Sequence, residues 1–88
     1  MQKTIHCDEY RALVSSLRRR REVLGLTQSD VARALGWKQQ TYAAVEGGTR
    51  RLDILEFVAV GEQLSLTADE LLSLVRDMLS ALRGPSVS

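Results

Sequence analysis

The chain has 88 residues, 44% of them apolar and 26% charged, with one proline, one cysteine and a formal net charge of +1. That length supports one domain with a modest core, a single cysteine excludes an internal disulfide, and no apolar run approaches the roughly 18 residues of a membrane span. A lone Cys7 without a signal peptide points to a reducing, cytoplasmic setting, and the lack of alternating β-branched runs points to an all-α fold.

Residues 1–7 show no hydrophobic period and are expected to form an arm. Asp8 is expected to cap a first helix over about 9–24, with Tyr10, Leu13, Val14, Leu17 and Leu24 turned inward. Arg21 falls on the same stripe, and Gly25 ends the helix. Thr27, with Asp30 three residues on, caps a second helix whose inner face is Val31, Ala32 and Leu35. Gly36 sits where a left-handed residue reverses the chain. A third helix is expected over about 38–46 with Tyr42 and Val45 inward, which leaves Gln39, Gln40, Ala43 and Ala44 largely outside that stripe. Gly47-Gly48 stops it, and a basic loop, Thr49-Arg50-Arg51, follows. Asp53 with Glu56 caps a fourth helix, with Ile54, Leu55, Phe57, Val58, Gly61 and Leu64 as its apolar positions. Thr67 with Glu70 opens a fifth helix, which runs to about residue 83, before Gly84-Pro85 and a tail over 84–88. The expectation is one five-helix domain over 8–83.

From Thr27 to Tyr42 the order is capped helix, glycine turn, then a helix with an amide-rich first turn. This is the layout of a helix-turn-helix, whose second helix enters the DNA major groove. A glutamine amide carries an acceptor and two donors and can bond a base edge in a bidentate way, so Gln39 and Gln40 are the expected base contacts. Ala43 and Ala44 could meet only thymine methyls. Gln28, at the positive end of the second helix, is placed for a phosphate. Lys38, Thr41, Arg50 and Arg51 are assigned to the DNA backbone as well, while Arg18, Arg19 and Arg20 read equally as a solvated face. The charge is divided in a way that suits a polyanion: residues 1–51 sum to +5 and residues 52–88 to −4.

A lone charge on an inner helix stripe is costly. Arg21 and Glu46 share that problem and are expected to neutralise each other, pinning the third helix to the first. The fifth helix is apolar over a wide face, and Leu71, Leu72, Val75, Met78, Leu79 and Leu82 are expected to supply a homodimer seam within residues 67–83. His6 and Cys7 are the only residues of their kinds, and two ligands cannot make a structural zinc site. No glycine-rich phosphate loop is present. No enzyme, cofactor, metal or small-molecule ligand is therefore expected.

The run Arg21…Gly25-Leu26-Thr27-Gln28…Val31-Ala32…Leu35-Gly36…Thr41-Tyr42…Val45-Glu46-Gly47-Gly48 resembles the phage-repressor and Cro-like helix-turn-helix family, also called the xenobiotic-response-element family, over about residues 10–65. The resemblance implies a five-helix, lambda-repressor-like DNA-binding fold and a Gln28 contact to phosphate. It also implies base contacts from Gln39 and Gln40, an Arg21–Glu46 pair, and a loop over 47–51 along the DNA backbone. Many members of that family act as dimeric repressors on palindromic operators, so a homodimeric repressor or autoregulator bound to double-stranded DNA is the expected function, with controller-protein and antitoxin formats included. The alternative is an adaptor or antiactivator that keeps the fold and grips a protein through its fifth helix. Two departures stand out. Trp37 and Lys38 occupy positions where a small residue and a Ser/Thr cap are usual, and Ala43 and Ala44 replace polar residues that often extend base readout.

Overall fold

The periodicities resolve into five α-helices in the computed structural model, which describes residues 7–83, with side chains from Asp8 to Ser80. They are α1 (Cys7–Val23), α2 (Gln28–Leu35), α3 (Gln39–Glu46), α4 (Ile54–Gln63) and α5 (Ala68–Arg83), and no strand occurs among the described residues. Most of the expected arm, with His6, and the tail over 84–88 lie outside the described residues, as does the Leu82 side chain. α1 packs against α3 and α5, and α2 against α3 and α4. Leu13, Val14, Leu17, Val31, Ala32, Tyr42, Val45, Phe57, Val60 and Leu64 form the buried core between them.

Reciprocal caps start three of the helices. Thr27 Oγ1 accepts from the Asp30 N–H while Asp30 Oδ2 accepts from the Thr27 N–H, and the same exchange joins Asp53 to Glu56 and Thr67 to Glu70. α1 differs from expectation at its start. It already includes Cys7, so Asp8 lies in the first turn beside Glu9 and not at the cap, where both carboxylates complement the positive end of the helix dipole.

The first four helices end alike, each with a bond running from the residue beyond the turn back to a carbonyl five residues earlier: Leu26 to Arg21, Trp37 to Ala32, Thr49 to Ala44 and Leu66 to Gly61. This closure needs a left-handed residue just before the donor. Gly36 supplies it in the reversal between α2 and α3 (φ 76°), whereas after α4 the position is filled by Ser65 (φ 57°). The left-handed conformation costs an L-residue about 1–2 kcal/mol, and glycine's larger unfolded-state entropy returns part of that. Ser65→Gly is therefore expected to raise stability by about 0.5–1 kcal/mol in urea unfolding. A loss instead would mean that the serine side chain contributes something glycine cannot. The Ser65 and Leu64 carbonyls accept from the Arg20 guanidinium at 2.9 and 2.8 Å, so Arg20 staples α1 to the end of α4 and is not simply a solvated charge.

Two readings of inward faces are corrected, on α4 and at Leu24. On α4, Ile54, Leu55 and Val58 are exposed (70%, 77% and 49%), and the inner stripe is Phe57, Val60, Gly61 and Leu64. The six positions named from sequence span more arc than one face of a ten-residue helix can bury, and Val60 was missed. Leu24 is exposed, because the turn at Gly25 brings Leu26 to the core in its place. On α5, Leu71, Leu74, Val75 and Met78 pack on the domain's own core, which leaves Leu72 and Leu79 as the exposed apolar residues of the expected seam. A helix that packs along α1 and also closes on Gly61 of α4 needs a wide apolar face for itself. The approach is close at Gly61, where an added Cβ would lie 2.6 Å from a Leu71 methyl carbon.

Candidate nucleic-acid interface

The α2–α3 unit is assembled from the core outward. Tyr42 and Val45 are fully buried and seat α3 on α1 and α2, so that Lys38, Gln39 and Gln40 project into solvent. Behind that first turn lies a chain of polar contacts. Arg21 Nε and Nη2 donate to the two Glu46 carboxylate oxygens at 2.7 and 3.0 Å, and Arg21 Nη1 donates to the Leu26 carbonyl at 2.8 Å. The two side chains retain only 11% and 3% of their exposure. Burial alone would raise the Glu46 carboxyl, but hydrogen bonds from Arg21 and Gln28 outweigh it and hold the group below the usual carboxylate range. Glu46 in turn raises the Arg21 guanidinium. The Tyr42 hydroxyl ends beside this pair, buried and without a hydrogen bond, and burial followed by the Glu46 charge pushes its phenol well above the ordinary value.

The pair reaches the surface through two amides. Gln28 Nε2 donates to Glu46 Oε1 at 2.9 Å, and Gln39 Nε2 donates to Gln28 Oε1 at 3.0 Å. An ionised carboxylate can only accept, so Glu46 fixes which end of the Gln28 amide faces it. Gln28 thereby fixes Gln39, whose carbonyl oxygen and second N–H stay available at the surface. Gln40 is exposed one residue further on. Thr41, Ala43 and Ala44 are half-buried. Ala43 lines a shallow polar hollow with Arg18, Arg21, Gln28 and Glu46, and the Ala44 carbonyl accepts from the Thr49 and Arg50 N–H groups, tying the basic loop to the end of α3.

That loop is more constrained than its composition implies. Arg50 Nη2 and Nη1 donate to the two Glu56 carboxylate oxygens at 3.0 and 3.4 Å, and the Cζ of the same guanidinium lies over the Trp37 ring, 5.0 Å from its centre. The Tyr10 hydroxyl donates to the Arg50 carbonyl at 2.7 Å and accepts from the Leu52 N–H at 3.1 Å. Arg51 is exposed, with its guanidinium 5.9 Å from the Tyr10 ring centre. Sequence reasoning missed the roles of Trp37, Glu56 and Tyr10. Glu56 was legible only as half of a capping box, and nothing local marks its six-residue reach back to Arg50.

The arrangement is a polar surface joined by hydrogen bonds to a buried ion pair. Among the described residues there is no group of three or more His, Cys, Asp or Glu placed to hold a metal, and no helix long and apolar enough to cross a membrane. No curated protein matches the chain. The family described as "helix-turn-helix domain" matches residues 12–83, from the second turn of α1 to the end of α5. With its five helices, a capped α2, a glycine reversal and an exposed polar first turn on α3, the chain belongs to the helix-turn-helix domain family of DNA-binding folds.

Proposed function

We propose that the protein is a sequence-specific double-stranded DNA-binding regulator of transcription, acting in the cytoplasm as a homodimeric repressor or autoregulator on a palindromic operator. The observation that carries this reading is the relay from the buried Arg21–Glu46 pair through Gln28 to Gln39, which holds an amide at the surface in one orientation. Preorganised amides at the start of a groove-entering helix are what base readout requires. Lys38 and Arg51 flank them as exposed cations for phosphate, and the positive first half of the chain supports the same side. For the homodimer, the exposed Ile54, Leu55 and Val58 of α4, with Leu72 and Leu79 of α5, supply apolar surface. An open groove lined by Leu52, Ile54, Phe57, Val75 and Met78 borders it.

The same apolar surface supports the second reading, an adaptor whose partner is another protein. Binding to a mixed-sequence duplex, measured by gel shift against salt concentration, separates the two. A DNA reader is expected to bind tightly at low salt and to weaken steeply as salt rises, because bound phosphates release counterions. A flat result at low salt would leave the adaptor.

A further inference from the structure

The first turn of α3 carries the reading amides but has no side-chain cap. Lys38 holds the cap position in an extended conformation and makes no capping bond. What fixes the approach to that turn lies one residue earlier. The Trp37 N–H donates to the Ala32 carbonyl at 2.8 Å, and its ring packs on the edge of the core beneath the Arg50 guanidinium. That guanidinium is itself held by both oxygens of Glu56, on the first turn of α4. Glu56 Oε1 also accepts from the Asp53 N–H, so the carboxylate is anchored to the backbone it caps. The backbone of Arg50 is pinned from the other side by Tyr10 of α1.

We infer that Trp37, Arg50 and Glu56 form a clamp that positions the reading helix, and that Arg50 acts as a positioning residue for sequence readout and not primarily as a phosphate contact. The guanidinium geometry carries this assignment. Both terminal nitrogens are directed at a carboxylate and the guanidinium carbon lies over an indole, so the charge and two of the five N–H donors are already engaged within the domain. A planar fork that bonds a carboxylate through two nitrogens is also the case in which lysine cannot replace arginine. The inference rests on the DNA-reading function proposed above. It adds that the loop after α3, anchored on α4, sets the angle at which Gln39 and Gln40 meet the groove.

The test compares the parent with Arg50→Lys, Trp37→Leu and Glu56→Gln. Glutamine keeps the capping box of α4, since its carbonyl can still accept from Asp53, but lacks the charge that holds Arg50. Trp37 is the chain's one tryptophan, so its fluorescence reports the clamp without any DNA. Arg50→Lys and Glu56→Gln are expected to make Trp37 more accessible to acrylamide quenching. All four proteins are then used to select from one random pool of DNA duplexes, and each is titrated with salt on a common duplex. Each variant is expected to enrich its preferred site about tenfold less than the parent, the loss of part of one bidentate base contact, with an unchanged salt slope. The clamp is overturned if Arg50→Lys and Glu56→Gln quench as the parent does and all three variants enrich as it does, or if Arg50→Lys enriches normally while a further variant, Arg50→Ala, lowers the salt slope by about one, the mark of a simple phosphate contact. A parent that enriches nothing removes the DNA reading and this inference with it, whereas a parent that enriches alongside indifferent variants removes only the clamp.

Discussion

Replacing Glu46 with alanine is expected to lower the unfolding free energy by about 3–5 kcal/mol, the usual cost of stranding one member of a buried ion pair. Arg21 would be left almost fully buried with only the Leu26 carbonyl as acceptor, and Gln28 would lose its carboxylate partner. A domain of this size has about 5–15 kcal/mol in total, so the variant should sit near its folding threshold. Removing both charges tests the mechanism better than removing one. Arg21→Met combined with Glu46→Leu is expected to recover most of the loss, because filling the site with apolar groups avoids the unpaired charge. Urea unfolding of the single and double variants measures both effects, and a Glu46→Ala cost below about 1 kcal/mol would place the pair's energetics at the level of a surface bridge.

The pair also sets a pH dependence. The Glu46 carboxyl is held below its ordinary value of 4.5 in the folded protein. The stability tied to its charge is therefore fully present above that ordinary value and is lost as pH falls through the lower folded one. On this acid limb the parent should lose more stability than Glu46→Ala, which has no such carboxylate to protonate.

Gln40→Ala is the second large effect, expected to cost about 1–3 kcal/mol of binding and to relax preference at one base position while the others hold. Gln40 is exposed and takes no part in the Arg21–Glu46–Gln28–Gln39 relay, so its loss should leave stability unchanged. Gln39→Ala should differ in kind. Gln39 is held by Gln28, so its removal takes away an amide that is already oriented and leaves Gln28 free to turn. Comparing the two variants on duplexes substituted one base pair at a time separates a directed contact from a general loss. Equal weakening on every sequence would take Gln40 out of the reading head.

The features legible in the sequence are those with local signatures. Thr27 with Asp30, Asp53 with Glu56 and Thr67 with Glu70 announce helix starts through a fixed three-residue spacing, and Gly36 announces the reversal between α2 and α3 through its backbone freedom. Arg21 and Glu46 stood out because each is a charge on an apolar stripe, which asks for a partner. What was not legible depends on which elements meet. Ile54, Leu55 and Val58 are as apolar as Phe57 and Val60, and only the placement of α2 against α4 decides which of them are covered. Leu71, Val75 and Met78 read as a surface for a second copy because nothing in α5 itself says how much of the core it must close. Arg50 read as a phosphate ligand because a basic loop beside a reading helix has that composition. Its engagement with Trp37 and Glu56 emerges only once the turn before α3 and the start of α4 are brought to either side of it.

The most direct test of the central claim is selection of bound duplexes from a random pool, followed by the mass of the purified complex. One enriched palindrome is expected, with half-site centres about 34 Å apart, one helical turn, carrying two copies of the chain. Failure to enrich any sequence at low salt, from protein that is folded by its unfolding curve, would contradict it.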